Sequence, residues 1–529
     1  MGEKSRRILR HFTNEPVLRV NVAGGNHSLD FQVTDEFSIE NNSGETIIGP
    51  LRSGLHWRVK MESYEPAQFI YSILVHTTQD EVEAGEIADQ LNKQGLNVRI
   101  RELGGVILLN EKHLTDNRQL QVLVGEFNSS TEAYHFQWSG KSEYEVEVIH
   151  EKIRESRGVL EIFDAQYERS SKLQNQLTLR PLVNDTETEL FDVMVSKSFP
   201  FEKKIKKRFQ GPITFRIGDH GNIMAICEIP LEKYLEGVLS AVMDPKDPIE
   251  ALKSQAVASR GLALANLGLF HPNEPFDFCS DHHCQLFIDN TKVHETVLKA
   301  IHATRGEVLY SNRQICETLY SRLCGGHTSD NHPIHSKPYA PGLQSVYDGK
   351  SNHRRKNLNK EGHVDDWIKS NPKVYCNPQI HEWYPLLENA GEAFRWEVTH
   401  SRKKLEEIII EKTGEDIGTL FDIVPVKRGN SGRLKEIEII GSRKNLYITK
   451  DINIRQTLDR DILQSSCFII ESELGVDGIP LSFRFIGAGL GHGAGLCQTG
   501  ATVMAHEGQS YLNILNHYFK GGKMHQIYQ

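Results

Sequence analysis

The sequence predicts an α+β protein of more than one domain, and three observations carry that prediction. The chain has 529 residues, 25 % charged and 38 % hydrophobic, a globular composition too long for one ordinary core, so about two to four domains are expected. Strand-like and helix-like periods succeed one another between Phe69 and Gly125. A strand, turn and strand from Ile213 then run directly into two helical segments.

Bulk properties exclude several classes. A net charge of −9 lacks the basic surplus that phosphate backbones require, so no nucleic-acid partner is expected. Apolar runs such as Gly105 to Leu109 are far shorter than the roughly 20 residues of a membrane span, so no transmembrane segment is expected. The start "MGEKSRRILRHFTNEPVLRV" has no apolar stretch of the signal-peptide kind, and read literally it implies a cytoplasmic chain. Eight cysteines are too sparse for a disulfide scaffold and point to local chemistry.

Taken in order, residues 1–63 form a β-rich segment, in which "VLRVNVAGGNHSLDFQV" at 17–33 alternates around Gly-Gly and predicts a short hairpin. Over 64–150, "FIYSILVHT" predicts a buried strand, "QDEVEAGEIADQLNKQG" an amphipathic helix with a glycine stop, and "LNVRIRELG" a second strand. "QLQVLVG" predicts a further strand, and Asn128 to Thr131 offers capping chemistry for another helix. A strand ending in "VGEFNSSTEA" resembles the SPOR domain, which implies binding of denuded peptidoglycan glycans. Residues 151–210 are charge-rich, end in "EKKIKKRF", and predict a solvated linker.

From Gly211 to the end, "ITFRIGDHGNIMAICEIPLEKYLEGVLSAVM" predicts strand, turn, strand and a helix opening at Pro230. "DPIEALKSQAVASRGLALAN" predicts a second helix whose small residues allow close packing, with Gln255 and Arg260 as polar exceptions. These two segments, followed in order by "FCSDHHCQLF", "YSRLCGGHTSDN" and "GLGHGAGLCQTGA", resemble the SpoIID/LytB family of stage II sporulation protein D and amidase enhancers. The resemblance spans roughly Gly211 to Gly521. It implies an α+β glycan-groove domain and, in the enzymatic members, lytic transglycosylase activity on peptide-free glycan. There one glutamate protonates the glycosidic oxygen and then, as carboxylate, helps the C6 hydroxyl close on C1.

That glutamate belongs to a "GVVxxEM" segment, and here the segment reads "GVLSAVM" with Val242 at the acid's place. Valine exchanges no proton, so the catalytic residue is unknown. Asp244 is the candidate substitute, although "DPKDP" also reads as loop chemistry and Glu250 as a first-turn acid of the following helix.

The resemblance places glycan contacts at Gln255 and Gln498, at Ser321, Gly325, Gly326 and Thr328, and at Gly491, His492 and Gly493. Glycines there let a backbone approach a polymer closely, and the alternative is a glycine-rich turn packed on the core. Cys316 and Cys324 are expected as buried thiols. "HPNEPFDFCSDHHC" collects metal-ligating side chains, and the resemblance to zinc-carrying relatives implies Cys279, His283 and Cys284 as ligands with His271 as the fourth. A structural zinc ion, a Cys279–Cys284 disulfide and free thiols all stay open.

Three functions fit these residues. The first is a glycan-strand-binding protein of cell-wall remodelling or amidase enhancement, silent as an enzyme because of Val242 and partnered by a cell-wall amidase. The second is an active transglycosylase with another acid. The third is a cytoplasmic structural or regulatory protein that reuses the fold. The first two imply an extracytoplasmic location, against the literal N-terminus.

Overall fold

The computed structural model describes residues 8–51, 54–138, 141, 144, 146–166, 168–195, 203–289, 291, 293–330, 343–350, 357–381 and 391–529. Helices and strands are both abundant, in keeping with an α+β class. The chain divides into a first unit, Met1–Val242, Ala263–Leu298 and Ile527–Gln529, and a second, Met243–Leu262 and Lys299–Gln526.

Two sheets dominate the first unit. One runs in the order Phe278–Cys279, Val17–Asn26, Ile223–Pro230, Ile213–Ile217, Gln176–Pro181, Phe37–Glu40 and Thr46–Leu51. The other runs Ser170–Gln174, Arg157–Asp164, His56–Glu65, Ser28–Val33, Glu187–Val195 and Lys203–Gln210. Burial alternates along Ser28–Val33 and Ile213–Ile217, so each strand turns one face inward. The rings of Phe31 and Phe215 stack at 5.3 Å and Phe37 meets Trp57 edge-on at 5.9 Å, joining the two inner faces. Each such buried aromatic contributes about 2–3 kcal/mol relative to exposure.

Two expectations need correction here. The predicted hairpin at 17–33 does form two strands, but they are not partners: Val17–Asn26 pairs with Ile223–Pro230, and Ser28–Val33 with His56–Glu65. The Gly-Gly pair lies inside the first strand instead of at its turn. The expected linker at 151–210 is also strand: Arg157–Asp164, Ser170–Gln174, Gln176–Pro181, Glu187–Val195 and Lys203–Gln210 all join these sheets. Most of its charges lie on outward positions of the alternation, with Asp164 and Lys207 as buried exceptions, while Leu160, Ile162, Leu177, Leu179 and Phe209 point in.

A separate four-stranded sheet holds the predicted α/β module. Its order is Glu147–Arg154, Gln68–Thr78, Gln119–Phe127 and Val98–Leu103, with every neighbouring pair antiparallel. The helices Glu81–Lys93 and Ser130–His135 each connect strands that run parallel with one strand between them, the split βαβ arrangement repeated twice. Asp80 caps the first helix by accepting from the Val82 N–H at 2.8 Å, and Ser129 caps the second by accepting from the Glu132 N–H at 3.1 Å. Ala84, Ala88 and Leu91 bury the first helix against Ile73, Val75, Val122 and Val124.

The second unit packs the helices Gln498–His506 and Tyr511–Tyr518 into one apolar cluster with Val257, Leu323 and Val374. A second cluster, around Trp396, Phe468 and Phe485, lies between a sheet of Trp396–Ser401, Pro480–Gly487 and Phe468–Leu474 and a meander of Leu420–Arg428, Leu434–Gly441 and Asn445–Thr449. The helix Arg402–Thr413 covers it with Leu405 and Ile409, and ends where Gly414 takes a left-handed conformation at φ 73°. No helix among the described residues is long and apolar enough to cross a membrane.

Candidate functional site

In the second unit, the segment from Leu319 to Ser329 runs beside the glycine-rich stretch near the C-terminus. Tyr320 and Ser321 pair in parallel with Leu496 and Cys497. The backbones of Leu323 and Leu490 exchange hydrogen bonds of 3.2 and 2.8 Å, and Ser329 donates to the Gly493 carbonyl at 2.8 Å. Two motifs far apart in sequence thus form one continuous ribbon.

The glycines of that ribbon do different jobs. A Cβ on Gly495 would lie 2.0 Å from the Leu319 carbonyl oxygen, and one on Gly493 would lie 2.1 Å from the Arg433 guanidinium carbon. At Gly325 a Cβ would lie 2.9 Å from the Ala488 carbonyl carbon, and at Gly326 2.6 Å from the Trp367 ring. In these four places the protein itself is the close neighbour. Gly491 is different: among the described residues its Cβ would meet only the Ser321 Cβ, at 3.5 Å, so they leave that side open.

Ser321 is buried, and its Oγ has no hydrogen-bond partner among the described residues. A buried hydroxyl left unpaired costs about 1–3 kcal/mol, which a ligand oxygen would relieve. His492 is half-buried, and its Nδ1 accepts from the Ala494 N–H at 3.0 Å, so in the neutral ring the proton sits on Nε2. Thr328 is already satisfied, since its Oγ1 accepts from the Val346 N–H at 2.7 Å.

Gln255 and Gln498, expected as glycan contacts, meet each other in the interior. Gln498 Nε2 donates to Gln255 Oε1 at 3.2 Å, and Gln255 Nε2 donates to Ser259 Oγ at 3.0 Å. Both glutamines are buried, so they position the ribbon's second motif from behind. Burial pushes the neighbouring Tyr320 hydroxyl well above its ordinary range.

Val242 is the last residue of the helix Leu231–Val242 in the first unit and is half-buried. Upstream on the helix, a Cβ on Gly237 would lie 2.3 Å from the Phe287 ring, so glycine there lets Phe287 and the Asp289 carbonyl close against the helix. In the second unit, Asp244 Oδ1 accepts from the Lys246 N–H at 2.8 Å, and the Asp244 N–H donates to Asp247 Oδ2 at 3.1 Å. This carboxylate shapes its own turn. Glu250 lies in the first turn of the helix Ile249–Ala265 and accepts from the Tyr511 N–H at 2.8 Å.

The four side chains expected as metal ligands do converge. His271, Cys279, His283 and Cys284 place one donor atom each within 4.8 Å of the others. Cys279 Sγ lies 3.6 Å from Cys284 Sγ, His271 Nε2 lies 3.2 Å from Cys284 Sγ, and His283 Nδ1 lies 3.5 Å from it. A tetrahedron with bonds of about 2.3 Å has edges of roughly 3.8 Å, so two cysteines and two histidines at these separations suit zinc. Cys279 is held in place by its strand, whose neighbour Asn21 lies on Val17–Asn26. The hydrogen bond from Cys284 holds the Cys279 thiol down at about 2, while burial pushes Cys284 well up.

Three residues that the sequence reading missed shape the ribbon. Arg433 is buried, donates to the His327 and Cys324 carbonyls at 3.2 and 3.1 Å, and fills the space beside Gly493. Tyr347 and Trp367 stand edge-on to the His327 ring, each at 5.6 Å, as half-exposed aromatics. No local pattern marks them, since they come from separate segments. The basic stretch "SNHRRKNLNKEGH", Ser351 to His363, lies partly outside the described residues, at 351–356.

The helices Leu231–Val242 and Ile249–Ala265 fall within a stretch that is similar to stage II sporulation proteins. Residues 219–310 match the family model for stage II sporulation protein, SpoIID, and over those residues the chain is a SpoIID-family protein. Residues 329–495 match the model for a domain of unknown function, DUF8618. Stage II sporulation protein D of Bacillus amyloliquefaciens is 24 % identical over 323 residues, covering 58 % of this chain and 76 % of that protein. An uncharacterized protein of Brachyspira hyodysenteriae is 28 % identical over 317 residues, covering 59 % of this chain and 71 % of that one. SpoIID membership suggests a role in cell-wall remodelling.

Proposed function

We propose that this protein binds peptide-free peptidoglycan glycan strands along the open side of the ribbon, and acts in cell-wall remodelling or amidase enhancement without cleaving glycan itself. The observation that carries this reading is the buried Ser321 hydroxyl, unpaired among the described residues, beside the face of Gly491 that those residues leave open. A sugar hydroxyl can satisfy Ser321 there and can also accept from His492. The half-exposed rings of Tyr347 and Trp367 offer apolar faces to pyranose C–H groups.

The missing acid supports a binding role over catalysis. Val242 cannot transfer a proton, and Asp244 is engaged in its own turn. The split βαβ module at 68–154 suits the SPOR-like reading, which would add a second grip on denuded strands. Zinc at His271, Cys279, His283 and Cys284 would have a structural role, pinning the loop that follows the helix Ile249–Ala265. A zinc ion held by four protein ligands supplies rigidity and no open coordination position.

Co-sedimentation of the purified protein with denuded glycan strands tests the reading. Wild type is expected to bind, and His492→Ala and Ser321→Ala each to bind about three- to tenfold more weakly, the effect of one lost hydrogen bond. Absence of any glycan affinity in the wild type would reject the proposal.

A further inference from the structure

The second unit holds another group of metal-ligating side chains, distant in sequence from the first. The geometry points to a buried zinc site formed by Cys324, Asp348, Cys376 and Cys497. One donor atom from each lies within 4.8 Å of the others, and all four residues are buried.

The distances suit a single tetrahedral ion. Cys324 Sγ and Cys376 Sγ are 3.6 Å apart, close to the roughly 3.8 Å edge expected between two thiolates on zinc and far beyond a sulfur–sulfur bond. Three thiolates and one carboxylate form a soft, anionic donor set of the kind that selects zinc over hard cations.

The surroundings are arranged for thiolates. The N–H groups of Cys324 and Gly500 donate to Cys497 Sγ at 3.3 and 3.4 Å, and the Gly326 N–H donates to Cys324 Sγ at 3.4 Å. Cys497 also caps the nine-residue helix Gln498–His506. Asp348 Oδ1 accepts from the Tyr518 hydroxyl at 2.6 Å, and Oδ2 accepts from the Cys376 N–H at 3.0 Å. Such outer partners orient ligands at a metal centre.

Charge supplies an independent argument. Asp348 is fully buried, and no lysine, arginine or histidine among the described residues pairs with its carboxylate. Nearby Arg395 spends its donors on the carbonyls of Ile368, Gly325, Phe394 and Trp367. A bound cation would offset the charge of a buried carboxylate surrounded by sulfur. The site also explains Gly500: a Cβ there would lie 2.2 Å from the Tyr518 hydroxyl and 2.6 Å from Asp348 Oδ1.

Metal analysis of the full-length protein, purified reduced and without chelators, tests the site. Two zinc ions per chain are expected if both clusters are loaded. Cys279→Ser/Cys284→Ser should keep one zinc, and Asp348→Asn/Cys376→Ser should lose one. A wild type with one zinc that vanishes in Cys279→Ser/Cys284→Ser would overturn the second site. Loss only in Asp348→Asn/Cys376→Ser would uphold it while rejecting the first. Should that variant fail to fold, cobalt loading of the Cys279→Ser/Cys284→Ser protein decides: a strong thiolate-to-cobalt charge-transfer band supports the site and its absence overturns it. A Cys324–Cys376 disulfide in freshly purified protein would also overturn it.

Discussion

At the scale of single residues, Lys207 shows what a charge count conceals. It stands in the basic run "EKKIKKRF", yet its side chain is 1 % exposed and among the described residues its Nζ donates to the Phe287 carbonyl, at 3.4 Å. Burial lowers its pKa from 10.5 to about 8, and Asp281 and Asp289 only partly offset that. The unfolded chain therefore binds the extra proton between about pH 8 and 10.5, so stability rises with pH across that window. Below it the full cost is present, about 3 kcal/mol. Lys207→Met is expected to stabilise the protein at pH 7 by about 1–3 kcal/mol and to flatten the rise, as read from urea midpoints at pH 7 and 10. The glycines give a second contrast. Gly491 and Gly493 both have positive φ, 90° and 68°, so alanine is strained at either. Only at Gly493 does a Cβ also overlap Arg433. Gly493→Ala should lower the melting temperature several degrees more than Gly491→Ala, while Gly491→Ala should show the larger proportional loss of glycan binding.

At the scale of elements, what the sequence revealed follows from how local each signal is. The helices Glu81–Lys93, Leu231–Val242 and Ile249–Ala265 were legible because period and end signals lie within each segment. Ser129 caps its helix where the Asn128 to Thr131 stretch predicted a cap. Removing that cap with Ser129→Ala should cost about 1 kcal/mol, measured by thermal unfolding of the full chain. Strand partners were not legible. The alternation at 17–33 marked two strands correctly, but pairing is decided by Ile223–Pro230 and His56–Glu65, about 200 and 30 residues away in the sequence. The basic run at 203–210 looked like a linker because lysine occupies both faces of its alternation, including the inward one at Lys207.

At the scale of the whole molecule, the motifs were legible one by one, and their assembly was not. The histidine–cysteine cluster could be read because its ligands fall within fourteen residues of sequence, His271 to Cys284. Cys324, Asp348, Cys376 and Cys497 come from four separate segments: the pairing of Leu319 to Ser329 with the C-terminal stretch brings Cys324 to Cys497, and backbone hydrogen bonds from Asp348 to Gly326 and from Tyr375 to Asp348 bring in the other two. The largest functional consequence rests on Val242. If the SpoIID-family scaffold has kept its glycan-binding surface and lost only its acid, restoring the carboxylate should restore chemistry. Val242 is half-buried at a helix end, so a glutamate there can reach water and fold without leaving a buried charge. Mass spectrometry of denuded glycan strands after incubation should show no 1,6-anhydro product from the wild type and some from Val242→Glu. Product from the wild type would instead mean that another carboxylate works, and Asp244→Asn should then abolish it. Binding without product from either protein would leave the binding role standing and show that more than the acid has been lost.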